Sequence, residues 1–438
     1  MRTGFLILKG EIELISPAIV GSGKSDTADL EVIKDSNGVP YIPATSFAGV
    51  LRHKIKNFNI PRKTLEKIWG LSVALSHQDL RQSSIIISDL LPKGTPSLSI
   101  RDGVKIDRKR GIAEDKAKFD YEVVDAGALF DLKIEVPLNG EDDELKKRLL
   151  STYVEMLKND LIRVGAKTNS GFGKIRLKDY KFYHFNFKEK DHVIAWFRYL
   201  KTNELPNTQE LTIEPIPFNE KKFELTAYFT IKNSLIVRDY SIDPNSPDMV
   251  HIKSNKKPVL PGTSIKGAIR ARAERIVKTL GIENSVIEDL FGDAGKDVSE
   301  PKRGRISIDE TYIDGYTEEV QTRIKIDRFT GGTIEGALFE TKPLFSTKEE
   351  REFQIKITIQ DYKDHEVGLI LLVLKDLFTG DLPIGGEKSI GRGVLSGKRV
   401  SLLIDGEKID FTKPEELSKE KIEKLQRYVS ELNKMGGK

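Results

Sequence analysis

The sequence predicts an α+β protein made of two tandem ferredoxin-like (RRM-like) βαββαβ domains, each carrying an inserted β-hairpin. Three observations predict it. Five landmarks occur twice in the same order, the strand and helix patterns between them follow the same succession, and a charged insertion interrupts both copies at the same place.

The landmarks set the register of the repeat. Tyr41-Ile-Pro-Ala-Thr-Ser-Phe-Ala-Gly-Val-Leu-Arg52 matches Val259-Leu-Pro-Gly-Thr-Ser-Ile-Lys-Gly-Ala-Ile-Arg270, and Trp69-Gly70 matches Phe291-Gly292. Ile85-Ile-Ile-Ser-Asp89 matches Arg305-Ile-Ser-Ile-Asp309, Lys105-Ile-Asp-Arg108 matches Lys325-Ile-Asp-Arg328, and Lys167-Thr-Asn-Ser-Gly-Phe-Gly173 matches Glu387-Lys-Ser-Ile-Gly-Arg-Gly393. Pro43 and Pro261 are 218 apart, Gly70 and Gly292 are 222 apart, and the last three pairs are 220 apart. Collinear matches at one offset mean a duplication, and a period this long makes each copy a whole domain.

Each copy opens on an alternating strand (5–15; 223–231), followed by an irregular polar loop. A proline then leads into a helix, with Ser46 or Ser264 near its N-cap. A short strand follows (84–88; 305–308), then the charged insertion and an alternating strand (128–136; 352–359). A second helix (143–161; 365–378), a Gly-rich loop and a last strand (174–180; 394–403) close the copy. Residues 191–201 read as an extra helix and 414–434 as an amphipathic C-terminal helix. The domains are thus 1–205 and 221–438, joined by a Pro- and Asn-bearing linker over 206–220.

Composition excludes several classes. The 438 residues contain no cysteine, which removes disulfides and thiolate metal sites. Hydrophobic residues make up 38% and charged residues 32%, enough for two cores under a heavily charged surface. The net charge is only +4, so any basic surface must be local. No apolar run is long enough for a membrane span, and the start, MRTGFLILKGEIEL, reads as a strand rather than a signal peptide. The expectation is a soluble, cytoplasmic protein that makes no use of a membrane.

Gly21-Ser-Gly-Lys-Ser25 mimics the end of a Walker A loop. The first glycine of that pattern is replaced by Ala18, and residues 26–38 read as a loop and an Asn-Gly hairpin instead of a phosphate-binding helix. The Gly-rich loops bearing Lys167, Thr168, Ser170, Gly171 and Gly173, and Lys388, Ser389, Gly391 and Arg392, have two readings. They could hold phosphate oxygens with backbone N–H groups and basic side chains, or they could be tight turns using glycine as a helix cap. The helices after Pro43 and Pro261 carry Arg52, His53 and Lys54, and Lys266, Arg270 and Arg272. These suit either a nucleic-acid backbone or a solvated helix face. The insertions hold Lys105, Arg108, Lys109 and Arg110, and Lys325 and Arg328; each reads as a projecting β-hairpin or as a charged loop.

The carboxylates bear on chemistry. Asp29 lies 14 residues before Pro43, and Asp248 lies 13 before Pro261. Asp26 is beside Asp29, Asp239 and Asp243 precede Asp248, and His251 is a further polar group nearby. A loop aspartate held at one site in both copies can bind a divalent cation or orient a 2′-hydroxyl, although loop aspartates also simply form turns.

Taken together, the Pro-Gly-Thr-Ser-Ile-Lys-Gly-Ala-Ile-Arg segment, the Ile-Asp-Arg insertion and the Gly-x-Gly loop resemble the RAMP superfamily (repeat-associated mysterious proteins). More narrowly, they resemble the tandem-fused Cas-seven-type backbone subunit of a type III (III-D-like) CRISPR effector complex. The resemblance covers nearly the whole chain. It implies a CRISPR guide RNA, a complementary target RNA and other effector-complex subunits as partners. The helix starts, the Gly-rich loops and Lys24 would hold the guide, and the hairpins would act as thumbs that splay a base. The resemblance also implies target cutting by Asp29 with Mg2+ or Mn2+, the target's own 2′-hydroxyl attacking the adjacent phosphate. Asp26 and Asp248 are the accompanying candidates. The second copy departs from the pattern, with Ile236-Val-Arg for Gly-Ser-Gly and His251-Ile-Lys-Ser for Val-Ile-Lys-Asp, and the first has Ala44 where the family usually has glycine. Competing expectations are a non-catalytic scaffold and a guide-processing endoribonuclease using His53.

Overall fold

The structure, a computed structural model, describes residues 2–436 apart from 24–27, 56–57, 59, 71–81, 109, 141, 207–210, 219–220, 240–245, 294–300, 348 and 350. It divides into two compact units: Met1–Ile100, Asp120–Thr168 and Phe172–Asn219 in the first, and Arg101–Phe119, Asn169–Gly171 and Glu220–Lys438 in the second. Both combine helices with antiparallel sheet, the expected α+β class.

The first copy runs β1 (Gly4–Leu14), α1 (Ala44–Lys54), α2 (Arg62–Trp69), β2 (Ile86–Ile87), β3 (Leu98–Asp107), β4 (Ile112–Val124), β5 (Leu129–Leu138), α3 (Asp143–Lys158), β6 (Ile175–Asn186) and α4 (Lys190–Thr202). Its sheet order is β2-β5-β1-β6, all antiparallel, with β3 and β4 forming a separate hairpin. The second copy runs β7 (Lys222–Ile231), α5 (Gly262–Thr279), α6 (Ser285–Phe291), β8 (Ile306–Ile308), β9 (Gln321–Ile326), β10 (Thr333–Lys342), β11 (Phe353–Gln360), α7 (Asp364–Phe378), β12 (Leu395–Ile404), β13 (Glu407–Phe411) and α8 (Lys419–Lys434). Its main sheet has the same order with one edge strand added, β8-β11-β7-β12-β13. The hairpin β9–β10 stands outside that sheet.

Alternation along the central strands places the cores. Leu6, Leu8 and Ile12 of β1 pack with Phe47 and Leu51 of α1 and with Leu149, Tyr153 and Leu157 of α3. Leu225, Ala227 and Phe229 of β7 do the same with Ile265 and Ile269 of α5 and with Ile370 and Val373 of α7. The other faces of the two sheets differ. Phe5 and Ile7 are buried beneath α4, with Phe5 stacked on Trp196 at 4.3 Å. The corresponding side of β7 carries Glu224, Thr226 and Tyr228. There Glu224 pairs with Lys222 and Lys356 at 2.7 and 3.1 Å, and Arg399 lies 3.4 Å from the centre of the Tyr228 ring. The C-terminal helix packs against α7 through Gly368, where a Cβ would lie 2.2 Å from the Tyr428 carbonyl oxygen.

Two local expectations are revised. Ser46 and Ser264 are not N-caps: Pro43 and Pro261 occupy that place, and neither helix has a side-chain cap there. The first N–H of α1, on Ala44, is satisfied at 2.7 Å by the carboxylate of Asp89, which explains why an aspartate ends that landmark. The expected linker is also packed over part of its length. Ile213 accepts from Ser151 at 2.6 Å, Ile216 donates to Thr152 at 2.8 Å, and Phe218 stacks on Phe58 at 5.9 Å. Its apolar residues Leu211, Ile213, Ile216 and Phe218 cover the first core, which a solvated linker would not do. No helix among the described residues is long and apolar enough to cross a membrane.

Candidate nucleic-acid interface

Each copy turns back after its first strand and meets the returning strand of its own hairpin. In the first copy Gly21–Gly23 pairs with Glu31–Val32, and no helix occurs over 28–32, so the described part of the Walker-like segment, Gly21–Gly23, is a strand of a small antiparallel pair. The Asn37-Gly38 turn follows, closed by Asp35 and Val39. Leu30 then bridges Tyr121 of β4 in parallel. In the second copy Met249 pairs with Thr341 of β10, also in parallel.

The two candidate aspartates sit at these crossings. Asp29 is exposed; its N–H donates to Asp120 Oδ1 at 2.9 Å, and its Oδ2 accepts the Asp120 N–H at 3.4 Å. Asp248 is exposed, and its Oδ2 accepts the N–H of Glu340 at 2.8 Å. Asp120 and Glu340 are 220 residues apart, so the two aspartates hold the same place at the root of the two hairpins. Asp26 and Lys24 lie outside the described residues, as does Lys109. Among the described residues no group of three or more His, Asp or Glu is gathered for a metal ion. Asp29 and Asp120 could supply one or two carboxylates, which suits a cation that takes its remaining oxygens from phosphate and water.

His251 does not join them. It is 2% exposed, its Nδ1 accepts the Val237 N–H at 3.2 Å, and its Nε2 lies 2.9 Å from the Val259 carbonyl oxygen. That carbonyl can only accept, so Nε2 carries the proton and the ring is neutral. Burial drives its pKa down to about 4.

Several expected RNA contacts turn inward. Arg52 donates to the Gly70 carbonyl at 2.8 Å and Arg270 to the Gly292 carbonyl at 3.1 Å. Both thereby tie the first helix of the copy to the end of the second, which accounts for the recurring Trp-Gly and Phe-Gly landmarks. Lys266 is partly buried and donates to the Ile306 carbonyl at 3.3 Å. Burial first, with Arg270 and Arg303 nearby, lowers its pKa to about 8.

The Gly-rich loops share one geometry. Gly173 donates to Pro17 O at 2.7 Å and Gly393 to Ser234 O at 2.8 Å. Their φ values are +71° and +79°, and a Cβ would lie 1.8 Å from Val164 O or 1.9 Å from Ile384 O. Close backbone approach therefore requires these two glycines. The side chains that anchor the loops differ. In the first copy Lys167 sits 3.6 Å from the Tyr121 ring centre, with its pKa lowered to about 8 by burial. Phe172 packs edge-on to the same ring at 5.7 Å. In the second copy Glu387 takes the place of Lys167 and Arg392 that of Phe172. Arg392 is 3% exposed; it donates to Glu387 at 2.6 Å and to Ser234 at 2.9 Å, and also bonds Gln321. Arg323 adds a second guanidinium to Glu387 at 3.2 Å. Arg392 is thus an internal ion-pair partner, contrary to the expected RNA contact. A pattern of basic residues cannot reveal that a loop neutralises its own arginine.

The remaining candidates differ in exposure. Lys388, Ser389 and Gly391 are exposed, while Thr168 and Ser170 are half-buried and Gly171 is buried. Lys105, Arg108, Arg110, Lys325 and Arg328 are exposed on the hairpins, and Lys105 pairs with Glu114 at 2.8 Å.

A family model described as the RAMP superfamily matches the chain twice, over residues 11–176 and 228–396. Comparison with curated proteins gives no match.

Proposed function

The chain belongs to the RAMP superfamily, and on that premise we propose that it is a guide-RNA-binding backbone subunit of a type III CRISPR effector complex that cleaves the complementary target RNA. The doubled family match supports a CRISPR-associated RNA-binding subunit with other complex subunits as partners. The order second-third-first-fourth in both antiparallel sheets supports two tandem ferredoxin-like domains, and the hairpins β3–β4 and β9–β10 supply the thumbs.

The observation that carries the cleavage reading is the paired placement of Asp29 and Asp248 at the roots of those hairpins. A hairpin that splays the RNA beside a carboxylate lets the 2′-hydroxyl line up with its own phosphate. Bound Mg2+ or Mn2+ would supply charge stabilisation, held by Asp29 in the first copy. The exposed Lys105, Arg108, Lys325 and Arg328 hold phosphates and fix the strand's position.

The non-catalytic scaffold reading draws on the same contacts, since each carboxylate already bonds a backbone N–H. Guide processing by His53, exposed near the end of α1, is the weaker reading because Ala271 lies in the corresponding region of α5. The test is the assembled complex with matching RNA and magnesium, comparing Asp29→Ala, Asp248→Ala and the double variant. Loss of individual cut positions is expected; unchanged cutting in all three would leave the scaffold.

A further inference from the structure

Away from both hairpins, three large hydrophobic side chains stand in water on one helix. They are Ile194, Phe197 and Leu200 of α4, 47%, 66% and 60% exposed. Their three-residue spacing makes them one ridge along the helix. The opposite side of α4 is already occupied. Trp196 stacks on Phe5 at 4.3 Å, and Tyr199 lies 6.1 Å from Phe185, both over the first sheet. A helix that covers a sheet with one face normally turns polar residues to solvent on the other. An apolar ridge kept there forgoes the stabilisation its burial would bring, which marks a partner surface.

The chemistry of the partner follows from what brackets the ridge. Lys190 and Lys201 are exposed at its two ends, and Arg198 is exposed further round the helix. Among the described residues none of these cations is drawn into an ion pair. Asp191 is the one carboxylate within the helix and lies beside Arg198 on the far edge, while Glu189, just before it, lies 3.6 Å from His192. The ridge is therefore flanked by uncompensated positive charge. A helix has no free backbone edge for strand addition, whereas a ridge of this spacing fits the groove of another helix.

A second copy of the chain fits this face poorly. An antiparallel pair centred on Phe197 would bring each Lys190 within about one helical turn of the other Lys201. Three side chains also fall far short of the roughly 800 Å2 per partner of a self-sufficient interface. The occupant must be held elsewhere as well, as a neighbour in an assembly is. We propose that the outer face of α4 docks an amphipathic helix of a different subunit of the complex. Its apolar stripe would cover Ile194, Phe197 and Leu200, and carboxylates about 16 Å apart would meet Lys190 and Lys201. This rests on the reading that other complex subunits are partners and adds the surface and the chemistry of one contact.

The experiment places photoreactive p-benzoylphenylalanine at position 197 of the full chain in the assembled complex and identifies the crosslinked peptide by mass spectrometry. The expected product is a helix of a different subunit with Asp or Glu on either side of its apolar stripe. Phe197→Ala and the double variant Lys190→Glu with Lys201→Glu should each retain the chain's melting temperature, because these side chains are exposed. Each should weaken recovery of that subunit about ten-fold, and lysines at the partner's two carboxylate positions should rescue the double variant. Crosslinking to RNA, to a second copy or to nothing would overturn the proposal, as would unchanged recovery in both variants. RNA binding by the chain should be the same in wild type and variants. A chain that binds no RNA yet gives the expected crosslink would refute the RNA-binding reading and leave the docking face standing.

Discussion

The carboxylate of Asp248 accepts the backbone N–H of Glu340 at 2.8 Å. Asp29 makes the same contact with Asp120, so a loop that has diverged in sequence between the copies keeps its anchor on the hairpin. This bond separates structure from chemistry. Asp29→Asn and Asp248→Asn keep an oxygen acceptor and should hold stability to within about 0.5 kcal/mol, whereas Ala variants should lose about 1 kcal/mol. If the carboxylates cut, the Asn variants should abolish cleavage at their positions despite intact stability. Urea denaturation and product mapping on the same preparations check this.

Arg52 and Arg270 should behave as fold residues. Replacing either by Ala leaves a glycine carbonyl at a helix end without its donor, at a cost of about 1–3 kcal/mol. RNA affinity measured well below the unfolding transition should change far less than for Arg328→Ala. A large affinity loss at wild-type stability would return these arginines to the RNA surface.

Arg392→Ala should lower stability by about 3 kcal/mol, because it breaks a buried ion pair and leaves Glu387 partly uncompensated. Chemical denaturation is the measurement. An exposed, RNA-facing arginine would instead give a variant of wild-type stability and weaker binding.

Gly173→Ala and Gly393→Ala should each cost about 3 kcal/mol or more, since a Cβ meets a carbonyl at under 2 Å and φ is positive. Gly391 has a φ of +85° but open space around it, so Gly391→Ala should cost only about 1 kcal/mol. Thermal melts of the three variants should separate into these two classes.

His251 links stability to pH. Its folded pKa is about 4, below the ordinary value near 6.5 of the unfolded chain. Between those values the unfolded state binds a proton that the folded state does not. Its contribution is therefore complete above pH 6.5 and is lost as pH falls toward 4, by up to about 3 kcal/mol. His251→Gln keeps a donor and an acceptor and should remove this component of the slope. Urea midpoints of both proteins from pH 4.5 to 7.5 measure the difference.

The repeat, the order of the main-sheet strands and of the two helices that flank them in each copy, the hairpin insertions and the extra helices α4 and α8 were legible in the amino-acid sequence, because periodicity, turn residues and motif spacing are local properties; α2, α6 and β13 were not foreseen. The placement of Asp248 opposite Glu340 was hinted at by spacing but needed the parallel pairing of Met249 with Thr341 to be seen. The burial of Arg392, the turning of Arg52 and Arg270 onto glycine carbonyls, and the enclosure of His251 were decided only by tertiary structure. So was the cover of α4 over Phe5 and Ile7, where the second sheet shows Glu224, Thr226 and Tyr228. The physical reason is that a charged side chain's role depends on which distant carboxylate or carbonyl the fold brings within about 3 Å, a distance that sequence spacing does not encode.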